Sequence, residues 1–203
     1  MTYTPTQLLS FETFIQQHQD NPRYELADGE LIDMEPTGPH EAVAGKIASK
    51  LNLEIERQNL PFLVPKSCIL RPFSDEAIAR RPDVIVLDEP ALLDEPLWYR
   101  EPVIVRGQTI KLVVEVVSTN WENDYARKVE EYALMGIPEY WIADFRGLGG
   151  IRFIGDPKQP TFTVNRLIGK LYEQKQYRLG DRIHSRLFSD LEMKLDDVMP
   201  RFS

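Results

Sequence analysis

Leu112-Val113-Val114-Glu115-Val116-Val117 is an apolar run of strand length broken by a single carboxylate. A run without polar alternation is what a strand buried on both faces needs, so it predicts the central strand of a sheet covered on both sides. Glu115 is costly in that setting. An unpartnered carboxylate taken out of water costs several kcal/mol, so it must be protonated, paired or bound to a cation. A strand end in partial solvent, or a structural arginine, would satisfy it as well.

Moving outward, Asp83 follows Pro82 and opens a second apolar run, Val84-Ile85-Val86-Leu87. Asp beside Pro is common where a chain enters or leaves a turn, so the pair gains meaning only together with Glu115. On neighbouring strands the two carboxylates can approach one hard divalent cation, which prefers oxygen ligands. After the Glu115 run, Asn123 to Met135 has helical spacing and is stopped by Gly136 and Pro138. Asp124, Lys128 and Tyr132 lie four residues apart on it and share one face. On an isolated helix these would be an exposed ion pair, worth a few tenths of a kcal/mol, and a core tyrosine. Behind the strand that carries Glu115, the helix can instead aim Lys128 at the cation. There an ammonium would stabilise charge developing on a phosphate or orient an attacking water.

The remaining elements surround this centre. Thr6 to Gln17 predicts a helix, and Tyr24 to Met34 a hairpin turning at Asp28-Gly29. Past Gly38-Pro39, the spacing of Val43, Ala44, Ile47, Ala48, Leu51 and Ile55 predicts an amphipathic helix to about Gln58. Phe62 to Phe73 and Pro82 to Leu87 are expected to be strands, Asp88 to Gln108 a loop, and Glu139 to Ala143 a further strand. Ile151 to Tyr177 predicts antiparallel strands turning at Gly155-Asp156-Pro157 and near Gly169; Leu191 to Met199 is too short to assign. The central order is helix, strand, strand, strand, helix, strand. With no repeat and no Gly/Ser-rich linker, one domain is expected over residues 1–203, its core at about 40–145.

Composition limits the function. Lys and Arg total 24 against 32 Asp and Glu, a formal net charge of −8, so binding to nucleic acid would need local basic patches such as Arg80 with Arg81 or Lys46 with Lys50. No apolar run approaches the ~20 residues of a membrane span, nothing from Met1 to Ser10 resembles a secretory signal, and the single Cys68 has no disulfide partner. A soluble cytoplasmic protein is expected. His18 and His184 have no partner pattern, and a single cysteine leaves no zinc-site spacing.

The order of elements, with Pro82-Asp83 on the second core strand and Glu115-Val116-Val117 on the third, resembles the PD-(D/E)XK nuclease core. More closely, the chain resembles the Uma-two family of "putative restriction endonucleases" common in cyanobacteria, over about residues 6–198. The residues concerned are Tyr24-Glu25-Leu26, Asp28-Gly29-Glu30, His40, Pro82-Asp83-Val84, Val114-Glu115-Val116, Asp124, Lys128, Tyr132, and Gly136 through Glu139-Tyr140-Trp141 to Asp144. The resemblance implies an α/β (α+β) fold: a restriction-endonuclease-like αβββαβ core with a mixed central sheet, an N-terminal helix and hairpin, and extra C-terminal antiparallel strands. It also implies a magnesium-dependent endonuclease acting on DNA, with manganese as a substitute. Asp83, Glu115 and the main-chain carbonyl of Val116 would hold the metal, and Glu25 would approach it from the hairpin. Val117 stands where the superfamily motif has lysine, so Lys128 would supply the amine. Alternatively, Glu25 is a cross-strand partner in a half-exposed hairpin. His40 would contact phosphate or assist proton transfer, unless it is a capping or surface residue. Tyr132, Tyr140 and Trp141 are expected in the core.

The rival expectation is a non-catalytic binding or regulatory module that keeps the nuclease scaffold, because fold does not dictate function. RNA or a small phosphodiester would use the same site. Two-strand cutting would be simplest for a homodimer presenting two sites.

Overall fold

The computed structural model describes residues 8–73 and 76–200. Helix α1, Phe11–His18, begins where the Ser10 hydroxyl accepts the Thr13 N–H. Thr6 and Gln7, the start of the helix expected from sequence, lie outside the described residues. Strands β1 (Tyr24–Ala27) and β2 (Glu30–Asp33) pair antiparallel around Asp28-Gly29, both at positive φ as the tight turn requires. Helix α2, Gly38–Gln58, starts with a proline in its first turn and ends at Asn59 in the left-handed region. Then follow β3 (Phe62–Leu63), β4 (Ile69–Leu70), β5 (Val84–Asp88), β6 (Val103–Ile104) and β7 (Ile110–Val116). Helix α3 (Lys128–Leu134), β8 (Glu139–Asp144), α4 (Ile151–Ile154), β9 (Thr161–Ile168), β10 (Leu171–Tyr177) and α5 (Leu195–Val198) complete the order.

The main sheet runs β10-β9-β8-β7-β5-β3. Only β7 and β8 are parallel, so the sheet is mixed, and α3 provides the crossover that a parallel pair requires. Side chains alternate across β7. Leu112, Val114 and Val116 join the α2 face with Val43, Ile47 and Leu51, whereas Val113 and Val117 join the opposite face with Tyr125, Tyr132 and Tyr140. Each fully buried aliphatic side chain contributes ~1.5–3 kcal/mol, so the two layers fix which side of the sheet Glu115 occupies. It falls between Val113 and Val117, facing α3.

Three expectations are corrected. Phe62 to Phe73 does not form one strand: Pro65-Lys66-Ser67 intervenes, β3 joins the main sheet, and β4 pairs with β6 in a separate parallel pair. Ile151–Ile154 is a helical turn rather than a strand. The Asp88 to Gln108 loop is a built connection, with a 3-10 turn at Pro90–Asp94 and the β6 bridge. Buried Glu95 organises it by accepting the N–H groups of Val105 and Arg106 and the Thr109 hydroxyl.

Candidate active site

Asp83 stands one residue before β5, and its Oδ2 accepts the Val116 N–H at 2.6 Å. The acid of one strand entry is thereby tied to the end of the neighbouring strand, beside Glu115. His40, in the first turn of α2, is also buried here. Its Nε2 lies 2.8 Å from the Val116 carbonyl and 3.3 Å from Asp83 Oδ2. Since a carbonyl can only accept, Nε2 carries a proton, while Nδ1 has no hydrogen-bond partner among the described residues. Burial alone would depress this imidazole, but the Asp83 hydrogen bond and charge, with the Val116 carbonyl and Glu41, raise its pKa above the usual range.

Behind Asp83, α3 begins with a wide turn over Asn123–Arg127, in which the Lys128 N–H reaches back to the Asn123 carbonyl. Single turns of this kind are frequent at functional sites. This one places Asp124 and Lys128 on the sheet side, so the four-residue spacing read from the sequence survives. The Lys128 ammonium, 1% exposed, lies 3.1 Å from Glu115 Oε1, 3.2 Å from Asp124 Oδ1 and 3.6 Å from Glu25 Oε1. The Tyr132 hydroxyl donates to the same Glu115 oxygen at 2.8 Å.

Three carboxylates thus share one buried ammonium. Burial, with Asp83, Asp124 and Glu25 nearby, pushes Glu115 well above the carboxylate range despite Lys128. For the same reasons Asp124 is pushed up to about 6. Burial alone would strip Lys128 of its proton, yet Glu115, Glu25 and Asp124 overcome this and hold the ammonium firmly charged. Burial and the adjoining acids raise Tyr132 as well, so it stays a neutral donor.

A cleft of about 690 Å³ opens over this cluster, lined in part by His40, Asp83, Glu115, Val116 and Asp124, with Arg23 and Lys66 also on its walls. Glu25, Lys128 and Tyr132 are not among the lining residues and stand behind it. Glu25 is fully enclosed rather than a half-exposed hairpin residue: it accepts the Arg81 N–H at 2.7 Å and faces Arg80 at 3.4 Å.

Sequence reasoning missed the arginines that support this layer. Arg80 is buried and forms a two-pronged pair with Glu131, which also receives Arg127; Arg127 in turn grips Asp28 of the hairpin turn. Arg81 donates to the carbonyls of His18, Gln19 and Tyr24. Arg80-Arg81 is therefore internal scaffolding rather than a patch for phosphates. Lys46 and Lys50 are similarly engaged, the former with the Met199 carbonyl and the latter 4.0 Å from Asp197. The Arg-Arg pair beside Pro82-Asp83 was the one available signal, since arginines next to a strand with a buried acid are candidates for internal pairing.

Among the described residues no group of three or more His, Cys, Asp or Glu side chains is arranged to hold a metal ion. The residues lining the cleft include the acids Asp83, Glu115 and Asp124 and also Val116, whose carbonyl accepts from His40. Asp144, also singled out in the sequence, is structural. Its carboxylate accepts the N–H groups of Leu148 and Gly149 in the turn after β8.

Residues 11–196 match the Uma2 family, described as "Putative restriction endonuclease". A solved structure from Anabaena variabilis, described as a "putative nuclease belonging to DUF820", is similar over 94% of this chain and 97% of its own, with a TM-score of 0.67 at 15% sequence identity. At that identity the likeness establishes a shared fold and no more. No curated protein matches this chain. Among the described residues no helix is long and apolar enough to cross a membrane.

Proposed function

Because this chain belongs to the Uma2 family of "putative restriction endonucleases", we propose that the cleft over Asp83 and Glu115 hydrolyses phosphodiester bonds, with DNA as the substrate and a magnesium ion as cofactor. The observation that carries this reading is the concentration of acid: Glu115 and Asp124 share the Lys128 ammonium with Glu25, which also faces Arg80, and Asp83 stands alongside. A module with no chemistry to perform gains nothing from such an arrangement, because buried charge is a poor source of stability.

The donor set fits a hard cation held by one or two carboxylates and a carbonyl, with water at the remaining positions. Asp83, Glu115 and the Val116 carbonyl would hold the ion, with Glu25 behind them. When bound, magnesium would activate a water and neutralise charge on the reacting phosphate. The chain's own groups then have distinct tasks. Lys128 and Tyr132 fix the rotamer of Glu115 and keep its Oε1 occupied. His40 and the Val116 N–H orient Asp83. Lys66, on the cleft wall, would meet a backbone phosphate beside the reacting one, whereas Arg23 there is already paired with Asp33 and Glu35.

The test is nicking of supercoiled plasmid, and cleavage of single-stranded DNA and RNA, with magnesium or manganese. Glu115→Gln keeps an oxygen for Tyr132 and Lys128, and Asp83→Asn keeps one for the Val116 N–H, so both should fold. Each is expected to lower cleavage at least ~100-fold, the scale on which loss of a group that stabilises transition-state charge is felt. Wild-type cleavage that both folded variants match would overturn the assignment. The rival reading, a module that binds nucleic acid without cutting it, draws support from the net charge of −8 and the engaged basic pairs. It predicts binding without cleavage under every ion condition.

A further inference from the structure

β10 closes one edge of the main sheet, and among the described residues no strand lies beyond it. The chain's own hydrogen bonds fix which of its backbone groups face outward. The Leu167 N–H donates to Pro138 on the β8 side, so odd-numbered residues of β9 serve β8 and even-numbered ones serve β10. With Ile168 opposite Leu171 and Arg166 opposite Glu173, residues 171, 173, 175 and 177 use their N–H and C=O groups on β9. Tyr172, Gln174 and Gln176 therefore present theirs to whatever lies past the edge. Glu173, Gln174 and Lys175 are all exposed there.

A seven-residue edge with unpaired backbone groups is a template for another strand, and proteins usually block such edges with charge. Here the order Leu-Tyr-Glu-Gln-Lys-Gln-Tyr does the reverse for one particular partner. In an antiparallel pairing of two β10 strands centred on Gln174, the outward groups of 172, 174 and 176 meet those of 176, 174 and 172. Glu173 then falls opposite Lys175 of the partner subunit, at a non-hydrogen-bonded pair, where side chains come closest. The symmetric registers one residue away place Glu173 against itself or Lys175 against itself, which like charge disfavours. Leu171, 76% exposed, comes to lie beside Tyr177 of the partner subunit. We propose that β10 is a homodimer interface, in which two copies join edge to edge through a two-fold axis at Gln174 into one continuous twelve-stranded sheet. The proposal stands apart from the chemistry of the cleft, because none of these residues lines it.

The test is sedimentation velocity of the full chain over a concentration series, with cleavage measured in parallel. Glu173→Lys and Lys175→Glu each set like charges opposite one another, twice per dimer by symmetry, and should weaken association at least about tenfold. Combining the two substitutions exchanges the charges and should restore association. Gln174→Pro removes an outward N–H that the monomer does not use and should give a folded monomer. A wild type that stays monomeric throughout overturns the proposal. So does a dimer that neither reversal weakens, or one that the double exchange fails to rescue.

Discussion

Replacing Lys128 by Met leaves the volume nearly filled but removes the one ammonium that Glu115, Asp124 and Glu25 share. Removing one partner of a buried ion pair typically costs ~3–5 kcal/mol, mostly the penalty of the charges left behind. Here the abandoned acids can escape by taking up protons, at ~1.4 kcal/mol for each pH unit above their own pKa. Asp124 is already at about 6 and Glu115 well above the carboxylate range, so both would rise further without Lys128. The folded variant then holds protons that the unfolded chain has released, and its stability falls as pH rises above about 4.5, where unfolded carboxylates ionise. Urea unfolding followed by tryptophan fluorescence should therefore show the full ~3–5 kcal/mol loss near pH 8 and a clearly smaller one near pH 5.5. Adding Glu115→Gln should recover part of it, because one of the stranded charges is gone. A loss under ~1 kcal/mol at pH 8, or one that does not change with pH, would refute the view that the acids depend on this ammonium.

Other outcomes follow from packing. Gly107 lies where an added Cβ would stand 1.8 Å from the Met135 carbonyl oxygen, so Gly107→Ala must push the 88–108 connection off the end of α3. That backbone collision should cost ~3 kcal/mol or more in the same urea assay, against a few tenths for Gly38→Ala, where none of the described residues places an atom within 4 Å of the added Cβ. Burial pushes the Cys68 thiol up to about 12, with Glu95 adding to the effect. Titration with a thiol-reactive disulfide at pH 8 should accordingly be slow in the native protein and complete in guanidinium chloride.

The parts legible in the sequence were those dictated by local pattern. The apolar run through Glu115, the Asp28-Gly29 turn and the three-and-four spacing of α2 each have one good structural solution, and each took it. The same-face placement of Asp124, Lys128 and Tyr132 held because helical spacing is local as well, even though the helix opens with a wider turn. What stayed hidden was set by contacts distant in sequence. Arg80 lies 51 residues from Glu131 and His40 lies 76 from the Val116 carbonyl, and the sequence around each does not name its partner. Phe62 to Phe73 read as one strand because its composition suits a sheet, but Pro65 has no N–H to donate to a ladder, so the halves joined different partners. Ile151 to Ile154 is apolar in either conformation, and a run of that length does not distinguish a helical turn from a strand.

At the centre of the proposed chemistry, a divalent ion reconciles the acids that line the cleft. The most direct measurement is diffraction from a crystal soaked in manganese, recorded at a wavelength where that ion scatters anomalously. The account predicts a peak between the Asp83 and Glu115 carboxylates, within coordinating reach of the Val116 carbonyl and absent from Glu115→Gln. A saturated crystal with no peak there, or with manganese bound only elsewhere on the surface, would contradict it.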